Sequence, residues 1–102
     1  MNENLLDFHE AEEFCAANGG HLASIKDIYE QYWLTSNLPN QAAKWIGLLR
    51  PRHHDGYKWI SDEEFLFSHW DRNNPNSTAG HCIQMNTNGF WANEECRTKA
   101  TR

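Results

Sequence analysis

With 102 residues, 13% of them aromatic, the chain has the length of one domain whose core is filled by a few large rings. Nine Lys and Arg against fourteen Asp and Glu give a formal net charge of −5, which argues against a nucleic-acid-binding surface. The apolar stretches are far shorter than the roughly 20 residues of a membrane helix, and no signal-peptide pattern begins the chain. We therefore expect a single domain over residues 1–102 with no membrane segment and no nucleic-acid partner.

Two helices are predicted in the first 40 residues. Asp7 and Glu10 form a capping-box pattern for the first helix, which should end at the Asn18-Gly19-Gly20 stretch. Ser24 is expected to cap the second helix, with Asp27 three residues later. Five apolar side chains share one predicted face of this second helix and are expected to pack on the core: Ile25, Ile28, Tyr29, Tyr32 and Trp33.

Beyond residue 40 the helical period disappears, and short aromatic runs separated by turn residues indicate antiparallel strands. We expect strands at residues 45–49, 57–60, 65–67, 82–85 and 90–91. The Asn88-Gly89 pair favours a hairpin between the last two runs. Two helices followed by a small sheet indicate an α+β domain.

A set of residues is distributed over nearly the whole chain in a distinctive order. It comprises Phe14-Cys15, residues 20–25, Trp45-Ile46-Gly47-Leu48, Trp59, Trp70, Asn74-Pro75-Asn76, Cys82, Gly89-Phe90-Trp91 and Cys96. Each element alone is weak, but their order and spacing together resemble the C-type lectin-like domain. The resemblance implies two helices, two small antiparallel sheets and a long surface loop at residues 50–80 that carries most ligand contacts. It also implies an extracellular location, in a secreted protein or a receptor ectodomain.

The family pairs four cysteines, whereas this chain has three. By resemblance Cys82 and Cys96 form a disulfide, which leaves Cys15 outside it; its family partner would follow Arg102. The usual first and last strands are also missing, so we expect a fragment, a splice form or a divergent short member. Two alternatives stay open for Cys15: a buried helical thiol, or an intermolecular disulfide that makes a dimer.

Calcium-dependent sugar binding in this family uses ion ligands that the resemblance places at Asn74, Asn76, Gly80, Ala92 and Asn93. No carboxylate occupies any of these positions. Because carboxylates supply most of the affinity for Ca²⁺, we expect no calcium, no other metal and no cofactor. Asp71 is the only nearby acid that would compensate.

The start of the long loop is basic, with Arg50, Arg52, His53, His54 and Lys58 within nine residues. Such a segment would contact an acidic protein surface or a sulfated glycan; the alternative is a solvated loop. The candidate ligand-binding residues are Arg50, Arg52, His53, Lys58, Asn74, Asn76 and Asn93. Asn76-Ser77-Thr78 is an N-glycosylation sequon, so Asn76 is either glycosylated or part of an unmodified polar loop.

The sequence therefore predicts an extracellular recognition module that binds a protein or glycan ligand without calcium. Two alternatives remain: a Ca²⁺-dependent carbohydrate-binding lectin with altered ion ligands, and a structural subunit of a disulfide-linked assembly. The sequence contains no phosphate-binding loop, His-Glu-x-x-His or Gly-x-Ser-x-Gly motif, which argues against an enzyme.

Overall fold

Two helices precede a four-stranded antiparallel sheet in the computed structural model, which describes residues 6–37, 43–51, 56–76 and 78–98. The elements are α1 (Phe8–Ala17), α2 (Ile28–Asn37), β1 (Lys44–Leu49), β2 (Lys58–Trp59), β3 (Cys82–Met85) and β4 (Trp91–Glu94). The strand order is β2-β1-β3-β4. The α+β class is confirmed, and the described strands form one sheet where the resemblance implied two. Neither helix in this part of the chain has the length and apolar character needed to cross a bilayer.

Helix α1 begins and ends at the residues that its sequence predicts. The backbone N–H of Glu10 donates to Asp7 Oδ1 (2.9 Å), and the N–H of Asp7 donates to Glu10 Oε1 (3.0 Å). These reciprocal bonds satisfy two amide groups that the first turn leaves without partners. At the other end Gly19 takes a φ of +90°, a left-handed conformation that glycine adopts without steric cost. The capping-box prediction is confirmed.

Helix α2 begins later than predicted, because Asp27 rather than Ser24 caps it. The N–H of Glu30 donates to Asp27 Oδ1 at 2.9 Å. Upstream, the carbonyl of Ala23 accepts a hydrogen bond of 2.8 Å from the N–H of Gly47 in β1. This attachment to the sheet keeps Ala23 and Ser24 out of the helix, so the Ser24 cap was wrong.

The predicted apolar face of α2 was wrong for three of its five residues, whereas Ile25 is buried in the core and Ile28 is half-buried. Tyr29, Tyr32 and Trp33 are 78%, 62% and 62% exposed. Gln31 instead faces the core and is only 1% exposed. Its amide is buried because it is hydrogen-bonded to groups of the β3–β4 hairpin, which a hydrophobic pattern does not reveal.

The sheet places its central strand, β1, between two partners. Leu48 in β1 pairs with Trp59 of β2, and Trp45 pairs with Gln84 of β3. The predicted strands near residues 45–49, 57–60 and 82–85 are therefore present, the second shortened to two residues. The strand predicted at residues 65–67 is absent, and that segment is irregular.

The aromatic side chains of residues 65–67 pack on the core instead of belonging to a strand. Phe65 lies 6.2 Å from the ring of Trp59, and Phe67 lies 5.9 Å from the ring of Trp91. Both therefore pack against the main buried cluster, which consists of Ile25, Ile46, Leu48, Trp59, Ile83, Met85 and Trp91. Packing of these rings, rather than strand pairing, holds this part of the long loop on the sheet.

Cys82 and Cys96 form a disulfide across the start of β3, with a Cα–Cα distance of 5.1 Å. This is the pairing that the resemblance implied. Cys15, half-buried on α1, keeps its thiol outside that disulfide. A dimer through Cys15 stays a prediction.

Candidate ligand-binding site

Three asparagines from the long loop and β4 form a connected hydrogen-bond network, which we call the asparagine network (Asn74, Asn76 and Asn93). The N–H of Asn93 donates to Asn74 Oδ1 (3.2 Å), and the N–H of Asn76 donates to Asn93 Oδ1 (2.6 Å). The side-chain oxygens of the loop and the strand thus accept each other's backbone hydrogens. This exchange fixes the loop against β4.

Asn93 is the centre of this network and is only 4% exposed. Its amide nitrogen donates to the carbonyl of Gly80 (3.0 Å) and to the hydroxyl of Tyr57 (3.0 Å). An amide side chain has two N–H donors, and both are used here. Both amide hydrogens of this buried side chain are therefore already engaged within the protein.

Asn76 differs from the other two because its side chain is exposed. Its Oδ1 accepts hydrogen bonds from the backbone N–H (3.2 Å) and the hydroxyl (2.6 Å) of Thr78. Within the described residues, its amide nitrogen makes no hydrogen bond. The nitrogen that N-glycosylation would modify is thus accessible.

Asp71, the acid nearest to the network in sequence, is engaged with the turn between β3 and β4. Its Oδ1 accepts from the N–H of Arg72 (2.8 Å), and its Oδ2 lies 3.1 Å from Asn86 Nδ2 and 3.4 Å from Asn88 Nδ2. The bond from Arg72, followed by that from Asn86, lowers the pKa of Asp71. This carboxylate connects the loop to the hairpin.

Strand β4 and the aromatic rings of the loop hold the site in place. The N–H of Trp91 donates to the carbonyl of His69 (2.9 Å), and the N–H of Asp71 donates to the carbonyl of Trp91 (2.8 Å). The ring of Trp70 lies 5.3 Å from that of Tyr57 and 5.8 Å from that of Trp91. Tyr57 therefore presents its hydroxyl to Asn93 from a packed position.

The two basic candidates within the described residues, Arg50 and Lys58, do not join the asparagine network. Lys58 forms an ion pair of 2.9 Å with Asp62 and lowers the pKa of that carboxyl group. Arg50 lines a cleft together with His81 and Gly80. Arg52, His53 and His54 lie outside the described residues.

Tyr57 is a member of the network that the sequence did not predict. It was expected in a strand, and no local pattern indicates its hydrogen bond to Asn93, 36 positions away. In the part of the chain that the structure describes, no group of three or more His, Cys, Asp or Glu side chains is placed to hold a metal ion.

Comparison with known proteins gives the same fold and family. The chain is 31% identical over 101 residues to mouse C-type lectin domain family 4 member G, covering 94% of this chain and 34% of that protein. It is 33% identical over 103 residues to rat lithostathine, covering 92% of this chain and 62% of that protein. The chain thus spans about a third of the mouse relative's length.

Solved structures superpose closely on this fold. The carbohydrate-recognition domain of cow CD23, crystallised in the presence of a GlcNAc2Man3 oligosaccharide, gives a TM-score of 0.88 at 27% identity, covering 98% of this chain and 78% of that one. The C-type lectin domain of murine dendritic cell inhibitory receptor 2, in complex with N-glycan, gives 0.86 at 30% identity, covering 97% and 80%. The model of the family described as Lectin C-type domain matches residues 4–101. The resemblance is confirmed: this chain belongs to the C-type lectin domain family, whose members are non-enzymatic recognition modules.

Proposed function

We propose that this chain is an extracellular recognition domain that binds a protein or glycan ligand without calcium, through the asparagine network and the long loop around it. The two superposed relatives whose crystals contain glycans support a recognition role. The disulfide between Cys82 and Cys96 is consistent with an oxidising, extracellular environment.

The proposal of calcium independence rests on one observation: the side-chain oxygens of the three asparagines already accept hydrogen bonds within the protein. Calcium takes six to eight oxygen ligands and gains most from carboxylates. Here Asn74 Oδ1 and Asn93 Oδ1 each accept a backbone N–H, and Asn76 Oδ1 accepts two bonds from Thr78. Asn93 also donates its amide hydrogens to the Gly80 carbonyl and the Tyr57 hydroxyl. A cation would have to displace these bonds without gaining a carboxylate, so this donor set does not fit a calcium ion.

Asp71 does not supply the missing charge. Both of its oxygens already accept hydrogen bonds, from Arg72 and from the two amides of the hairpin turn. Turning the carboxylate toward the asparagine network would leave the Asn86 and Asn88 amides without this acceptor. This cost disfavours the alternative of a calcium-dependent lectin with altered ligands.

The proposal is tested by titrating Ca²⁺ while following tryptophan fluorescence. Trp70 and Trp91 lie beside the site, so ion binding would alter their environment. We expect no saturable change. A saturable change below about 1 mM Ca²⁺, lost in Asn74→Ala, would establish the calcium-dependent alternative.

A glycan array probed with calcium and again with a chelator identifies the ligand class. Equal binding in both conditions is the expected result for direct glycan readout by side chains. Binding in neither condition favours a protein ligand. Binding that disappears in the chelator contradicts the proposal.

A further inference from the structure

A second concave surface borders the asparagine network at Thr78 and Gly80 and extends to the N-terminal turn of α1, the end of β1 and the residues after β4. Its volume is about 550 Å³, within the range of ligand-binding clefts. The N–H of Arg50 donates to the carbonyl of His81 (2.8 Å), and the N–H of Phe8 donates to the carbonyl of Cys96 (2.9 Å). The Cys82–Cys96 disulfide also lines it. These bonds connect the segments that border the cleft.

This cleft carries positive charge on a chain whose net charge is −5. Arg50 and Arg97 line it, together with the imidazoles of His9 and His81 and one acid, Glu95. The ion pairs within the described residues are Glu12–His21, Lys26–Glu30 and Lys58–Asp62. Both cleft arginines thus lack an ion-pair partner in this part of the chain, and Glu95 neutralises neither by contact.

A guanidinium group binds an oxyanion through two parallel N–H donors, which makes arginine the preferred partner of sulfate and carboxylate groups. Leu49 and Pro51 lie beside Arg50 on the same cleft and offer apolar surface to a ring. Charge and apolar surface together match a sugar that bears an acidic substituent. We propose that this cleft binds the sulfate or carboxylate group of an acidic saccharide, held by Arg50 and Arg97.

The shape of the surface favours a saccharide over an acidic protein. A stable protein partner covers roughly 800 Å² on each side, largely over open surface. This surface is instead a concave cleft whose lining includes two arginines and two imidazoles. His9 and His81 are therefore placed to hydrogen-bond the hydroxyls of a bound ring.

This inference rests on the proposed function, because it names one ligand class for the same recognition domain. Arg50 and Arg97 are not members of the asparagine network, although the cleft borders that network at Thr78 and Gly80. Its failure is therefore separable from failure of the calcium-independent role.

The test is calorimetric titration in EDTA at low ionic strength with three probes. These are a heparin-derived tetrasaccharide, the same tetrasaccharide after complete desulfation, and sialyllactose, whose acidic group is a carboxylate. We expect the sulfated probe to bind and its desulfated form to bind at least tenfold more weakly. Arg50→Ala and Arg97→Ala should each weaken binding about tenfold, as expected for the loss of a charge-assisted hydrogen-bond pair.

Two further variants separate recognition from general attraction. Lys26→Ala removes the same charge before α2, outside the cleft, and should leave affinity unchanged. Arg50→Lys keeps the charge but loses the two-donor geometry, so its affinity should fall between those of the wild type and Arg50→Ala. Thermal melting of each variant checks that the fold is retained.

Sialyllactose binding with the same dependence on Arg50 and Arg97 also supports the cleft and assigns a carboxylate as its anion. The proposal is overturned if neither acidic probe binds, if the two arginine variants bind like the wild type, or if Lys26→Ala weakens binding equally. Binding of a polyglutamate peptide but of neither saccharide overturns it as well. If both Arg50→Ala and Arg97→Ala still bind the glycan array without calcium, the cleft is not the ligand-binding site. The proposed calcium-independent function would then still stand.

Discussion

The amide oxygen of Gln31 in α2 accepts a hydrogen bond of 2.9 Å from the indole Nε1 of Trp91 in β4, and both side chains are buried. The Gln31 amide nitrogen also donates to the carbonyl of Gly89 (2.6 Å) in the hairpin turn. A single glutamine thus joins the second helix to the strand that supports the asparagine network. The Gln31 amide is tolerated in the core because both its oxygen and its nitrogen form hydrogen bonds.

Replacing this glutamine should be strongly destabilising. Gln31→Ala leaves the Trp91 indole N–H and the Gly89 carbonyl without this partner and creates a cavity, so we expect the free energy of unfolding to fall by about 3 kcal/mol. Urea denaturation measures this change. Tyr32→Ala, on the exposed face of the same helix, should stay within about 0.5 kcal/mol of the wild type. Similar losses in the two variants would contradict the role assigned to Gln31.

The parts of the fold that sequence could predict are those set by neighbouring residues. The capping box of α1 needs only Asp7 and Glu10, three positions apart, and the structure forms it. The β3–β4 hairpin likewise follows from its Asn88-Gly89 turn and two apolar runs. Both features depend on local geometry that residue types specify directly.

The parts that sequence could not predict depend on contacts between distant segments. The attachment of Ala23 to Gly47 shifts the start of α2, and the bonds of Gln31 to the hairpin decide which face of that helix is buried. The resemblance indicated the positions of the three asparagines in the site. It did not indicate which hydrogen bonds their side-chain oxygens accept. The basic cleft joins Arg50 and Arg97, which no local pattern relates.

Gly80 has no space for a side chain. A Cβ atom there would overlap the backbone carbonyl oxygen of Glu94, and the Gly80 carbonyl accepts the Asn93 amide. Gly80→Ala should therefore push the loop off β4 and lower the free energy of unfolding by about 3 kcal/mol. Gly20→Ala is the matched control, because a Cβ there meets nothing within 4 Å. Chemical denaturation measures the free energy of unfolding of both variants. Equal values for Gly80→Ala and Gly20→Ala would contradict the packing argument.

Asn76 should carry a glycan when the chain passes through a eukaryotic secretory pathway. Its side chain is exposed, and its Oδ1 accepts the hydroxyl hydrogen of Thr78, the sequon residue that the transfer reaction requires. We expect a mass decrease on treatment with an N-glycosidase, and no such decrease for Thr78→Ala. Thr87→Ala, which removes a threonine outside any sequon, should behave like the wild type. An unchanged mass in the wild type would show that the loop is unmodified.

His69 should make stability depend on pH. Its ring stacks on Phe90 with centroids 4.2 Å apart and lies 6.1 Å from Phe67, and burial lowers its pKa. In the unfolded chain histidine titrates near its ordinary pKa of about 6.5. As the pH falls below that value, the unfolded state binds a proton that the folded state resists, so the folded state loses stability down to the lowered pKa of the folded chain. Above about pH 7.5 both states are neutral and the effect is absent.

His69→Phe keeps an aromatic ring beside Phe90 and removes the titrating group. We therefore expect the melting temperature of the wild type to fall more between pH 7.5 and pH 5.5 than that of the variant. The comparison of His69→Phe with the wild type isolates the contribution of His69, because every other carboxyl and imidazole group is the same in the two chains. An equal fall in melting temperature for His69→Phe and the wild type would contradict the prediction. It would mean that protonation of His69 does not destabilise the folded state.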